Sequence, residues 1–245
     1  MAEKKTPKEA AKKPKLDKTH VADTALDLLN DVGLEGLTLR AIAKELNVQA
    51  PALYWHFKNK QALLDEMATV MFRRMTEAGR DIGYEPGGLA GAEGAEGGEG
   101  AGHAPALSWQ EWLRQGNRHL RATLLRYRDG AKVFSGSRFT GTDHGSAVEA
   151  NLRLLVEAGF TFDQAAWAST TAYMYTLGFV TEEQGMQPLS GEDPAPVDVE
   201  ERAERLAEYP LAAAAGGQLF AAYDERFEEG LALIVAGIEA RYGVR

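Results

Sequence analysis

Cysteine is absent from the 245 residues. Disulfides, thiolate metal sites and thiol nucleophiles are excluded with it. Long apolar runs are also missing. None approaches the roughly 20 residues that a membrane-spanning helix needs, so no membrane partner is expected. The Lys-rich start is not followed by an apolar stretch, as a secretory signal would require, and a cytoplasmic protein is the expectation. No segment carries the alternating pattern and turn pairs of a β-hairpin. The residue types of catalytic sites are present but not grouped: no nucleophile–base spacing, metal-ligand cluster or phosphate loop stands out. The carboxylates of Glu182 and Glu183 are adjacent, and helical neighbours do not face each other. Neither an enzyme nor a cofactor is expected.

What remains is a chain that is 44% apolar, enough for one large or two modest domains. Its net charge of −9 argues against uniform nucleic-acid affinity. The charge is unevenly spread. Residues 1–75 carry 13 Lys/Arg against 10 Asp/Glu, and the remainder carries 14 against 26. A neutral-to-basic N-terminal module on an acidic body follows.

Residues 1–16, with six lysines and two prolines, read as a disordered basic arm, solubilising or loosely attracted to an anionic backbone. Asp17 can cap a helix whose apolar residues are Val21, Ala22, Ala25, Leu28 and Leu29, closed at Gly33. Thr38 is a good N-cap for a second helix, with Ile42, Ala43 and Leu46 inward. After a turn at Asn47-Val48, Pro51 sits in the first turn of a short third helix. A longer helix runs from Lys60 to Arg80. Residues 83–106 read as a flexible acidic linker, since 87–102 holds eight glycines and three glutamates. Ser108 with Glu111 forms a capping-box pattern. Helical patterns then recur to the end, with a loop at 185–199 and a last helix expected over Leu219–Tyr242. The expected fold class is all-α, with about ten helices. The domains are 17–62 and 63–245.

Three short helices within 17–57, the second and third joined by a tight turn, match a helix-turn-helix. The third helix contains Tyr54, Trp55, His56 and Phe57 in a row. A helix cannot bury three consecutive rings on one face. Leu53 and Phe57, four apart, are assigned inward. Tyr54, His56 and Trp55 are then left to lie along a phosphate backbone. Ala50 and Ala52 are small enough for close approach, Pro51 offers apolar surface to a thymine methyl, and Lys60 adds a phosphate charge. A small bundle with aromatic core residues is the alternative.

The segment ALDLLNDVGLEGLTLRAIAKELNVQAPALYWHFKNKQALLDEMA resembles the DNA-binding domain of the tetracycline repressor (TetR) family. The pattern that carries this is G-x-x-x-L-T-x-R-x-[IL]-A-x-x-L-x-V-x-x-x-x-L-Y-x-H-[FV]-x-x-K. SWQEWLRQGNRHLRATLLRYRDGAKVFSGSR and TLGFVTEEQ are similar to the family's ligand-binding body. The resemblance implies a dimeric regulator, most simply a repressor, that binds a palindromic double-stranded DNA operator and is released by a small organic effector. The implied DNA contacts are Thr38, Arg40, Ala50, Pro51, Ala52, Tyr54, His56 and Lys60. The family reads bases with glutamine and threonine where this chain has Ala50 and Ala52. A different operator is therefore expected, with Gln49 as partial substitute.

The implied effector site departs further. The family's magnesium-binding histidine corresponds to Phe134, which cannot hold a hard cation. Thr76, Gly116 and Leu120 replace other drug-contacting residues, and Ser169 and Tyr173 differ in size and polarity. Arg138, Asn151 and Glu182 keep polar character. An organic effector bound without metal is expected, in a pocket lined by Phe134, Leu120, Trp167 and Tyr173. A vestigial pocket that answers to no ligand, or to a protein partner, is the alternative. The family's dimer bundle would correspond to helices near 162–183 and 219–242.

Overall fold

The computed structural model describes residues 16–81, 107–186 and 197–244. Residues 1–15 of the expected basic arm, the Gly/Glu linker and the centre of the 185–199 loop lie outside the described residues. Twelve helices follow in order among the described residues. They are α1 (Lys18–Gly36), α2 (Leu39–Glu45), α3 (Ala50–Tyr54), α4 (Lys60–Asp81), α5 (Trp109–Leu125), α6 (Gly130–Phe134), α7 (Asp143–Glu157), α8 (Phe162–Gly185), α9 (Val199–Arg205), α10 (Pro210–Ala214), α11 (Gly216–Phe220) and α12 (Tyr223–Tyr242). The all-α expectation holds.

Local chemistry sets several helix ends. Asp17, Thr38, Ser108 and Thr161 each accept a backbone N–H from the first turn that follows. At Thr161 the box is closed in both directions, because the Gln164 side chain accepts the Thr161 N–H. Gly33, at φ +67°, turns the chain out of α1. Asn47, at φ +52°, makes the tight turn between α2 and α3.

The C-terminal expectation needs correction. Leu219–Tyr242 is not one helix. The chain is broken at Ala221-Ala222, with Ala222 at φ +52°, and Leu219 and Phe220 belong to the separate short α11. Three short helices, α9 to α11, lie between the 185–199 loop and α12, which takes the number above ten.

Two apolar cores hold the chain. The first runs from α1–α4 into the body through Met67, Val70 and Met71 of α4, joining Leu120, Leu124, Tyr127, Val133, Phe134 and Val180. The second packs Trp109 and Leu113 of α5 with Phe160, the inner face of α8, and Phe227, Leu231 and Val235 of α12. Helix α4 thus has its N-terminal half in the head and its C-terminal half in the body, so the two cannot shift independently of it.

Candidate DNA-binding face and effector core

In the head, burial divides the aromatic run as physics requires. Leu53 and Phe57 are 0% and 1% exposed, while Tyr54 is 57% and Trp55 90% exposed. His56 is half-buried, its ring 6.5 Å from that of Phe57. Arg40, Gln49, Pro51 and Tyr54 are exposed; Ala50 and Ala52 are half-buried. Two cations missed by sequence reasoning join them. Lys44 is exposed one turn after Arg40 on α2, and Lys58 is exposed just past α3. The i, i+4 spacing of Arg40 and Lys44 was the available signal.

Two expected contacts are engaged internally. The Thr38 hydroxyl oxygen accepts the Ala41 N–H at 3.1 Å and caps α2. The Lys60 ammonium donates to the Leu34 carbonyl at 2.8 Å, tying the start of α4 to the α1–α2 link.

Head and body meet at a polar seam. The Asp129 carboxylate accepts the Leu34 N–H at 2.9 Å, and the Asn30 side-chain oxygen accepts the Arg128 N–H at 2.8 Å. The Arg74 guanidinium donates to Asp23 at 2.8 Å and to the Tyr127 hydroxyl at 3.0 Å. Asp129 itself stands at φ +57°, which aims its side chain across the seam. Burial pushes its carboxyl upward, but hydrogen bonds from Lys132 and from the Leu34 N–H outweigh this and hold it below the ordinary carboxylate range.

In the body, Leu120 and Phe134 lie together in the first core, 6% and 2% exposed, with Tyr173 packed against them. Phe139 stacks at an angle between Phe134, Phe72 and His144, with ring centroids 5.1 to 5.4 Å apart. The residues present do not fit a magnesium ion: the position implied for its ligand is a buried phenyl inside an aromatic cluster. Burial raises the Tyr173 phenol above its ordinary range, so it is neutral and able to donate.

Other expected effector residues are spoken for or elsewhere. Asn151 accepts from the Trp112 indole at 3.0 Å and donates to the Ser169 hydroxyl at 2.8 Å, which in turn donates to the Ala165 carbonyl. The Thr76 hydroxyl donates to the Arg73 carbonyl inside α4. Gly116 is half-buried on α5. Arg138 and Glu182 are exposed. Trp167 departs most from expectation. It is 61% exposed on the outer side of α8, away from the inner face of Ala165, Ala168, Ala172, Thr176 and Val180.

One strap links that core to α4. The Arg138 N–H donates to the Asp65 carboxylate at 2.9 Å. The Thr140 hydroxyl donates to buried Glu66 at 2.7 Å, and the Thr140 N–H to the Thr69 hydroxyl at 2.8 Å. Phe139 therefore sits between two residues fastened to α4.

The outer faces of α8 and α12 carry apolar side chains that no described residue covers. Phe162, Trp167 and Met174 on α8, and Leu233 on α12, are 61 to 66% exposed. Exposed Ala236, Gly237 and Ala240 continue the α12 stripe at helical spacing. Inside, Tyr175 donates to the Arg226 and Phe227 carbonyls and occupies the space left by Gly230, fixing α8 against α12.

Residues 21–67 match the family described as bacterial regulatory proteins, tetR family, and residues 101–242 match the tetracyclin repressor-like C-terminal domain. The chain is 38% identical to the class A tetracycline repressor protein of transposon 1721 from Escherichia coli, over 93% of this chain and 92% of that one. A possible TetR family transcriptional regulator from Streptomyces coelicolor is 33% identical, with a TM-score of 0.71, over 91% of this chain and 99% of that one. A point variant of TetR from Acinetobacter baumannii, solved in complex with minocycline, is 31% identical with a TM-score of 0.63, over 93% of this chain and 99% of that one. The helix-turn-helix head, the helical body and these likenesses agree, and the chain belongs to the TetR family of DNA-binding, effector-responsive transcriptional regulators.

Proposed function

We propose that the protein is a dimeric repressor that holds a palindromic operator and releases it when a small organic effector enters the body without a metal. The observation that carries this is the α2–α3 segment, where the exposed side chains of Trp55 and Tyr54 share one short stretch of the head with exposed Arg40, Lys44 and Lys58. Such a surface suits a duplex: cations and phenols on phosphates, small residues toward the major groove. Two copies joined through the bare stripes of α8 and α12 would form a four-helix interface and present two heads. Half-sites would then lie one helical turn apart, or a multiple of it.

The effector's place is the core around Phe134, Leu120 and Tyr173, with the neutral Tyr173 hydroxyl as an orienting donor. An effector that displaces Phe134 or Phe139 pulls on the strap at Arg138–Thr140 and so on Asp65, Glu66 and Thr69 of α4. Helix α4 carries that movement to the head, whose position Asp129 and Arg74 hold from the other side. The effector need only favour one head separation over another.

The test is a gel-shift and anisotropy assay on duplexes enriched from a random pool, followed by effector challenge in EDTA. Two chains per duplex and metal-free release support the reading. Tight operator binding that no compound relieves would favour a regulator with a vestigial pocket.

A further inference from the structure

Among the described residues, Glu66 is the only Asp, Glu, Lys, Arg or His that is buried, at 6% exposed. It lies on α4, and its carboxylate accepts one hydrogen bond, from the Thr140 hydroxyl at 2.7 Å. No Lys, Arg or His of the described residues pairs with it. A carboxylate has room for about four donors. The shielded carboxylate of Glu183 is treated differently, for it takes the fork of Arg121. Asp65, the neighbour of Glu66, also meets only neutral donors, the Arg138 N–H and the Gln61 carboxamide.

We propose that Glu66 is the counter-charge for the effector, and that the effector is an aromatic compound bearing a protonated amine. The proposal rests on the reading above that an effector enters the core around Phe134. A buried carboxylate is costly unless it is both paired and hydrogen-bonded. One hydroxyl meets part of that need, and a cation carried in by a ligand meets the rest. A neutral effector leaves it unmet, and an anionic one is repelled. The walls suit the same chemistry. Phe139, one residue before Thr140, meets the rings of Phe72, Phe134 and His144 at 5.1 to 5.4 Å. Ring faces attract an organic cation, and ring edges pack on its aromatic body. A hard metal ion needs several oxygen ligands, and no group of three His, Asp or Glu side chains suited to one stands among the described residues.

The position of Glu66 ties the charge to the response. An ammonium placed here donates to Glu66 and to the Thr140 oxygen. The Thr140 hydroxyl then turns to Thr69, 3.2 Å away. The direct bond that fastens the strap to α4 becomes a bond through the ligand, on the helix that carries the head.

The experiment titrates the full-length protein in EDTA with naphthylmethylamine, naphthylmethanol and naphthoate, which share one ring system and differ in charge. Binding is read by calorimetry and thermal shift. The amine should bind about tenfold more tightly than the alcohol, and the carboxylate more weakly than either. Glu66→Gln keeps the size and an acceptor for Thr140, and should abolish the amine's advantage. Circular dichroism checks its fold, and the wild-type comparison of amine with alcohol depends on no variant. No binding of the amine, equal affinity for amine and alcohol, an advantage that survives Glu66→Gln, or binding only with added magnesium overturns the proposal. If the alcohol releases the enriched operator as well as the amine does, the counter-charge fails and the metal-free regulator reading stands. An operator that no metal-free compound releases overturns both.

Discussion

The Asp129 carboxylate and the Leu34 N–H, 95 positions apart in sequence, meet at 2.9 Å across the seam between head and body. This bond fixes the head's angle through its backbone rather than through a side chain. Asp129→Ala should leave the fold intact and change the coupling, so that operator affinity or its response to effector shifts several-fold. The same bond gives a pH dependence. The folded carboxyl lies below its ordinary value, so its stabilisation is complete above the unfolded carboxylate range and is lost as pH falls through the folded pKa. The unfolding free energies of the wild type and Asp129→Asn should converge as pH falls; a gap that stays constant down to the acid limit would contradict this.

Arg121 anchors α5 to α8 and α12. It donates a two-pronged pair of bonds to Glu183 at 2.7 and 2.9 Å and a third to Asp224, and its guanidinium lies over the Phe227 ring at 5.0 Å. With the Arg121 and Glu183 side chains each 12% exposed, removing one partner strands the other. Arg121→Ala should lower unfolding free energy by about 3 kcal/mol, read from urea midpoints at constant slope. Arg121→Lys should recover only part, since an ammonium lacks the fork.

Gly230 leaves room for the Tyr175 ring, and an added Cβ would collide with its hydroxyl and edge. Gly230→Ala should therefore cost about 2 kcal/mol, the range of core overpacking. Adding Tyr175→Phe to it should restore stability in part by removing the clashing oxygen. If the two changes add independently, the contact is not as described.

The bare stripe on α8 and α12 predicts assembly. Met174→Glu or Leu233→Glu should give a folded monomer in sedimentation equilibrium that binds the enriched operator at least about tenfold more weakly, because two heads no longer act together. A variant that remains dimeric would move the interface elsewhere.

Tyr54→Ala should weaken binding to all duplexes alike, and Lys58→Ala should lower the slope of log affinity against log salt by about one. A change in sequence preference alone would overturn the backbone role of Tyr54.

Legibility in the sequence followed the range of the interaction. Caps at Asp17, Thr38 and Ser108 and turns at Gly33 and Asn47 depend on a few neighbouring residues, and all were readable. The division of Leu53 and Phe57 from Tyr54 and Trp55 followed from helical spacing. The break at Ala222 was not readable, because alanine is the best helix former and the apolar run across it looks continuous. Trp167 was expected in the pocket that the resemblance implies, and its exposure depends on how α8 docks, which the sequence does not show. The bond from Lys60 to Leu34 joins residues 26 apart and depends on how α4 docks. Asn151 looked free to hold a ligand until Trp112 and Ser169 were found on it.

The most direct test of the account is release of the enriched operator by effector panels, measured by anisotropy in EDTA and again in magnesium. The account predicts that a polycyclic or aromatic compound releases the duplex equally in both, and that Phe134→His does not improve that compound's action. Release by tetracycline in magnesium alone would contradict it.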